Sequence, residues 1–464
     1  MPYPGQPAGK TGHSDILSNP EIQTFLGTCE DLPRPQKEDV IQAIGSHGKM
    51  ADYKDHLPRW VKAIDGSEYE SPVDGRFPSR CIGYIKISSV LLDMQAYTLV
   101  KETPSRYIDP MAVARLEKDT STISMALPGA YVKPKGSLSV SDGFRRTILQ
   151  YFQSANTRLQ GDTLYDTLVD LIRLLGRTEV SSGEEHVVFA LCPNPDCPQQ
   201  KKSPFRIPVK DGYGDCPFCN RPVYVTDSLR IHEAFVESGS NVQALTRLMR
   251  AVEHLLMAHY IRAMRKFNLA QLSEMCFVLD GPLALFGEPA HFHRSILKLL
   301  EQVRQEMALN HLPEPVVMGL TKTGRLQEHL VQIGDLLGPG TVFPIPDSYR
   351  YEFLEPAKAG SSVNFGDDTY YGQDFYIKTE KGRCFTLCLA YPFADKTGDF
   401  KTLKTLPANY ATLGRALEVM RTLESELYQA SMIPIVLAHR HASISLTPGG
   451  KVLDIASINA FKNR

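Results

Sequence analysis

Short apolar runs alternate with amphipathic stretches along most of this chain, and the period of each predicts its structure. Val61-Lys62-Ala63-Ile64 and Cys276-Phe277-Val278-Leu279 read as buried strands, and each ends in an aspartate followed at once by glycine, Asp65-Gly66 and Asp280-Gly281. A strand that stops on Asp lifts a carboxylate to the sheet edge, and the glycine lets the chain turn without covering it. Rough alternation from Ile82 to Leu92 predicts a further strand. Residues 144–175 carry a helical stripe, Phe144, Ile148, Tyr151 and Phe152, then Leu164, Leu168, Leu171, Ile172 and Leu175, with a break predicted at Gly161.

Helices follow over about Asn241–Lys266, Pro289–Leu309 and Thr323–Leu337, with the run Val316–Leu320 between the last two. Beyond them the pattern predicts strands at 374–378 and 383–390, a helix at 408–430 and a strand at 433–438. This alternation of strand and helix argues for an α/β core. Residues 1–55, rich in Gly, Pro and charge, read as an arm or cap with one short helix near Pro35–His47.

Composition narrows the class. A chain of 464 residues is long enough for one large elaborated domain or two to three smaller ones. A 42% hydrophobic fraction with a net charge of -1 describes an ordinary globular protein, so any contact with nucleic acid must come from a local basic surface. There is no run of 18 apolar residues, and Met1-Pro2-Tyr3-Pro4-Gly5 lacks the segments of a secretory signal. Both point to the cytoplasm and away from a membrane.

Four of the nine cysteines form two tight pairs, Cys192-Pro-Asn-Pro-Asp-Cys197 and Cys216-Pro-Phe-Cys219, at the spacing of a tetrahedral Zn²⁺ site. Four thiolates close such a site to water, so its role is structural. The ribbon spans about 188–225, and Lys201, Lys202, Arg206, Lys210 and Arg221 make it locally basic. Phe205, Tyr213, Phe218 and Tyr224 either fill its small core or stack on bases. Cys29, Cys81, Cys276, Cys384 and Cys388 lie in or beside apolar runs and read as small hydrophobes.

An isolated Asp-Gly is ordinary turn chemistry, but two at apolar strand ends of one α/β sheet suit oxygen ligands to a hard divalent cation. Glu253 falls just inside the edge of the apolar stripe Leu245, Leu248, Met249, Val252 and Leu256, where a carboxylate needs a metal or an ion-pair partner. Glu233 is the alternative third acid. Lys322, after Gly319-Leu320-Thr321, reads as the start of a helix where it meets a phosphate or simply faces solvent. His439 closes Ile433-Pro434-Ile435-Val436-Leu437-Ala438, as a structural histidine, a metal ligand or a proton shuttle.

In this order, Ala63-Ile64-Asp65-Gly66-Ser67, Phe277-Val278-Leu279-Asp280-Gly281-Pro282-Leu283, Gly319-Leu320-Thr321-Lys322-Thr323 and Pro434-Ile435-Val436-Leu437-Ala438-His439 resemble the NurA nuclease family over about residues 60–445. The resemblance implies an α/β fold: an RNase H-like, PIWI-related mixed sheet flanked by helices, here with an inserted four-cysteine zinc ribbon. It implies that Asp65, Glu253, Asp280 and His439 hold catalytic Mn²⁺ or Mg²⁺ and that Lys322 joins them, while Cys192, Cys197, Cys216 and Cys219, by their spacing, are expected to hold structural Zn²⁺ apart from the chemistry. It also implies cleavage of DNA beside a HerA-type hexameric DNA-translocating ATPase, with a homodimer as the working form. Domain expectations are an arm at 1–55, a core in two parts at 56–187 and 226–464, and the ribbon at 188–225. Ser431 stands where the family pattern has a tyrosine, and the ribbon lengthens the Asp65–Asp280 interval. The competing class is a non-catalytic zinc-ribbon scaffold that binds nucleic acid or the ATPase. A nucleotide-binding enzyme is disfavoured by the absence of a Gly-rich P-loop or dinucleotide fingerprint.

Overall fold

The computed structural model describes residues 12–30, 36–45, 48–101, 117–198, 203–355, 365–424, 432–444 and 449–462. The chain divides into two compact units, Met1–Gly45 and Ser46–Arg464. In the first, helices span Gly12–Ser18, Pro20–Thr28 and Lys37–Ile44. The second of them starts on Asn19, whose Oδ1 accepts from Glu21 N at 2.9 Å, with Pro20 in the first turn, where its missing N–H is no loss. Cys29 is exposed there, unlike the buried Cys276 and Cys388 of the second unit.

An eight-stranded sheet organises the second unit: β1 Trp60–Pro72, β2 Cys81–Asp93, β3 Glu117–Pro128, β4 Met275–Asp280, β5 Val316–Thr321, β6 Val342–Pro344, β7 Gly372–Lys378 and β8 Cys384–Ala390. Its order is β6-β7-β8-β5-β4-β1-β2-β3. β1, β2 and β3 are antiparallel neighbours, while β4 lies parallel to β1 and β5 parallel to β4. That 3-2-1-4-5 arrangement is the RNase H-like core expected above, extended by three antiparallel strands.

Helices cover both faces. On one lie α1 Val140–Phe152, α2 Leu164–Leu174, α3 Val242–Phe267 and α4 His293–Leu309, packed with Ile64, Phe277 and Leu279. α5 Arg325–Ile333 follows β5. On the other face lie α6 Leu413–Leu423 and α7 Ile433–Ala442, packed with Val61, Ala63, Cys276 and Val278. Alternate side chains of β1 and β4 therefore feed two separate cores, the period-two rule of a strand buried on both faces. α8 Gly449–Lys462 lies against β1, where Ser71 Oγ donates to Asp454 Oδ1 at 2.7 Å. No helix among the described residues is long and apolar enough to cross a membrane.

Three elements depart from the sequence expectations. β1 does not stop at Asp65: β4 pairs with it only as far as Ile64, but β2 pairs with it on to Pro72. The run 433–438 is helix, not strand. Pro434 occupies its first turn, and the run is buried almost all round, which removes the periodicity that separates a core helix from a core strand. Lys322 begins no helix, since α5 starts three residues later at Arg325. The break expected at Gly161 does separate α1 from α2. Most of the second half of the helix expected at 408–430 lies outside the described residues, as do Lys201, Lys202 and Ser431.

The ribbon is built from short strands at Glu184–Phe189, Phe205–Pro208, Tyr213–Asp215 and Pro222–Tyr224. Phe205 stacks on Phe189 and meets Phe218 edge-on, so these rings fill the ribbon's interior, and only Tyr213 of the four aromatics is exposed. Arg206 pairs with Glu179 and Arg221 with Asp196. Buried Arg145 of α1 fastens the ribbon to the core: it donates to Asp227 Oδ1 and Oδ2, to Asn194 Oδ1 at 3.0 Å and to Pro222 O at 3.0 Å.

Candidate active site

Parallel register puts Ile64 beside Leu279, so the next residues along the two strands, Asp65 and Asp280, are neighbours at the carboxyl edge of β4. Both point to the face covered by α7. Gly281, at φ +106°, turns the chain away directly after Asp280, as expected of a glycine at that strand end. Gly66 does something else. It sits within β1, and a β-carbon on it would stand 2.7 Å from Met249 Cγ and 2.8 Å from Glu253 Oε1, so its bare backbone lets α3 press against the strand.

His439 arrives from the last turn of α7, where its Nδ1–H donates to Asp65 Oδ2 at 2.8 Å. Asp65 Oδ1 accepts from Gly66 N at 2.9 Å. Lys322, in the turn after β5, donates to Asp280 Oδ2 at 2.9 Å. Ligand atoms of Asp65, Asp280 and His439 all lie within 4.8 Å of one another. Glu253 is outside that group. Its carboxylate comes from α3 on the opposite face and reaches toward Asp65 past Gly66.

Burial holds the Asp65 carboxyl above its ordinary range; the Asp280 charge adds to the shift, while Lys322 and His439 oppose it. Burial pushes Glu253 much further up, Arg250 opposes, and Asp65 and Asp280 add. Glu253 is 3% exposed, and its Oε1 has no hydrogen-bond partner among the described residues. Three carboxylates therefore face two fixed cations, Lys322 and Arg250, a formal deficit of one positive charge. Oxygen donors with one imidazole suit a hard divalent ion such as Mn²⁺ or Mg²⁺, and the orphaned Glu253 Oε1 is an atom that such an ion satisfies. The residues fit the group.

Arg250 was passed over in the sequence, and Gly66 was read there as a turn glycine. Arg250 donates from Nη1 to Asp280 O at 2.8 Å and lies 3.7 Å from Glu253 Oε2. The available signal was an i,i+3 Arg–Glu pair inside an otherwise apolar stripe. Glu233, the alternative third acid, is engaged by Arg230 through two hydrogen bonds of 2.7 Å in a short turn after the ribbon. His291 and His293 cap their own turn by bonding Glu288 O and Ala290 O.

The cysteine quartet forms a second cluster. Cys192 and Cys219 sulfurs are 3.8 Å apart and those of Cys197 and Cys216 3.9 Å. A tetrahedron with Zn–S bonds of about 2.3 Å has edges of about 3.8 Å, so the quartet fits Zn²⁺. Asn194 Nδ2 donates to Cys192 Sγ at 3.3 Å, a contact that stabilises thiolate.

No family model and no curated protein matches this chain. Two solved structures resemble it along nearly their whole length. "Crystal structure of the NurA nuclease from Sulfolobus solfataricus" is 10% identical, with 97% of this chain and 98% of that one covered at a TM-score of 0.35. "Crystal structure of NurA with manganese" is 12% identical, with 96% and 95% covered at a TM-score of 0.21. Likeness at this level fixes neither family nor activity, and the fold assignment rests on the strand order itself.

Proposed function

We propose that this chain is a divalent-metal-dependent deoxyribonuclease. The observation that carries the reading is the convergence of Asp65, Asp280 and His439 within 4.8 Å at the end of β4, with buried Glu253 reaching in from the other face. Asp65, Asp280 and Glu253 hold Mn²⁺ or Mg²⁺ in this reading. Held by these residues, such an ion would supply Lewis acidity toward a phosphoryl oxygen and an attacking water.

The remaining work falls to the chain's own groups. Because His439 donates its Nδ1–H to Asp65, the imidazole lone pair is on Nε2, where it accepts a proton from the attacking water or completes the ligand set. The Asp65 carboxylate fixes that tautomer and the orientation of the ring. Lys322, held on Asp280, supplies positive charge to the phosphate as the attack proceeds. Glu253, sealed from water, stays in place to neutralise the ion.

The wider reading, resting on the motif resemblance, is that DNA ends are processed with a HerA-type hexameric translocating ATPase by a homodimer, in double-strand-break repair or in defence against phage. The deciding experiment incubates purified protein with linear and single-stranded DNA in Mn²⁺, Mg²⁺ or EDTA, beside Asp280→Ala. Cleavage that needs the metal and disappears in the variant supports the nuclease. Cleavage that survives Asp280→Ala sinks the site, and no cleavage with or without the ATPase favours the scaffold.

A further inference from the structure

α3 is buried from Leu248 to His259 with one exception. Arg250 alone in that stretch is exposed, its side chain at 48%, and it surfaces where the helix passes Asp280 and Gly281. A guanidinium carries five N–H donors. Among the described residues, one Arg250 nitrogen is engaged, Nη1, which donates to Asp280 O at 2.8 Å and lies 3.7 Å from Glu253 Oε2. The neighbouring Arg247 is occupied differently, in an ion pair with Glu288.

Asp280 is therefore gripped twice, its carboxylate by Lys322 and its carbonyl by Arg250. The two cations bind different oxygens of one residue. Gly281 leaves the approach open, since a β-carbon there would stand 3.2 Å from Arg250 Nη1. A planar fork, anchored at one end and half in solvent beside a carboxylate cluster, matches the bidentate geometry of a phosphate.

We infer that Arg250 binds a backbone phosphate of the nucleic acid, next to the phosphate served by Lys322. The inference deepens the nuclease reading and rests on it. Arg250 thereby sets the register of the strand over the carboxylates, a substrate contact that no motif of the sequence indicates. The competing explanation is purely structural: Arg250 pins the Asp280 turn and offsets the Glu253 charge.

Salt dependence separates the two, because each phosphate contact to a single strand contributes about 0.7 to the slope of log K against log salt. A fluorescein-labelled oligothymidine is titrated by anisotropy with Ca²⁺ in place of Mn²⁺, between about 50 and 200 mM KCl, and gels confirm that it stays intact. Wild type is compared with Arg250→Ala, Arg250→Gln, Arg250→Lys and, as a control, Arg247→Ala. The expected result is binding weaker by about tenfold or more in the Ala and Gln variants, with slopes shallower by about 0.7. Arg250→Lys keeps the slope but cleaves more slowly in Mn²⁺, since it loses the fork, and Arg247→Ala matches wild type in slope. Wild-type slopes in both neutral Arg250 variants overturn the inference, even where their melting temperatures fall. A wild type that cleaves DNA while those slopes are unchanged leaves the nuclease reading standing and removes Arg250 from it. A wild type that neither binds nor cleaves removes both.

Discussion

A β-carbon on Gly66 would stand 2.8 Å from Glu253 Oε1, so the strand carrying Asp65 passes the helix carrying Glu253 with no room for a side chain between them. Gly66→Ala forces Met249 and Glu253 back. The expected cost is about 1–3 kcal/mol, typical of overpacking a filled interior, with DNA cleavage reduced by about 100-fold, since displacements near 1 Å at a reacting centre carry that penalty. Urea denaturation and a nuclease assay read the two effects; a variant with wild-type activity contradicts the placement of Glu253.

Glu253 makes stability depend on pH. Its folded pKa lies above its unfolded value, so its stabilising contribution is complete below the ordinary carboxylate range and is lost as pH rises through the raised folded value. In EDTA, wild type is expected to lose stability as pH rises from mildly acidic toward neutral, and Glu253→Gln to flatten that fall. Mn²⁺ at about 100 times its Kd adds about 2.7 kcal/mol to wild type and far less to the variant. Thermal melts with and without Mn²⁺ across this range check both statements.

Lys322→Met removes a charge that opposes the upward shift of Asp65. The acids must be ionised to hold a cation, so the acidic limb of the cleavage profile moves to higher pH. A pH–rate series for the two proteins tests the direction; movement to lower pH contradicts it.

His439 is half-exposed, at 52%, so its loss leaves the fold nearly unchanged while removing the partner of Asp65. His439→Ala is expected to shift stability by under about 1 kcal/mol and to lower cleavage by about 10²–10⁴-fold, the usual share of a general acid–base. Calorimetry beside steady-state kinetics gives both numbers.

The ribbon is expected to carry one zinc per chain, measured by elemental analysis, and Cys216→Ser to lose it. Arg145→Met leaves Asp227 buried without its cation, at a cost of about 3–5 kcal/mol. Metal content distinguishes the two variants: only Cys216→Ser loses the zinc directly.

Legibility in the sequence followed the range of each signal. The cysteine pairs and the helix over 242–267 are local patterns, and their geometry is visible in residue spacing alone. Asp65 was placed beside Asp280 by the matched ends of two apolar runs, yet the continuation of β1 to Pro72 is dictated by β2, a partner that no local pattern reveals. His439 was found on an element of the wrong kind, because Ile433–Ala438 is apolar at every position and carries no period. Gly66 was read as a turn because Asp-Gly usually is one; its actual duty depends on Met249 and Glu253, more than 180 residues later in the chain.

The His439–Asp65 bond spans 374 residues of sequence, and the acids of the site are translated well before the imidazole. A chain still on the ribosome has Asp65, Glu253, Asp280 and Lys322 outside the exit tunnel while α7 is still being made. The His439–Asp65 contact thus forms late in synthesis, after the sheet and the cysteine ribbon have had their chance to form. A chain whose translation is cut short before residue 439 leaves no imidazole at its acids, so the proposed site cannot be completed on it.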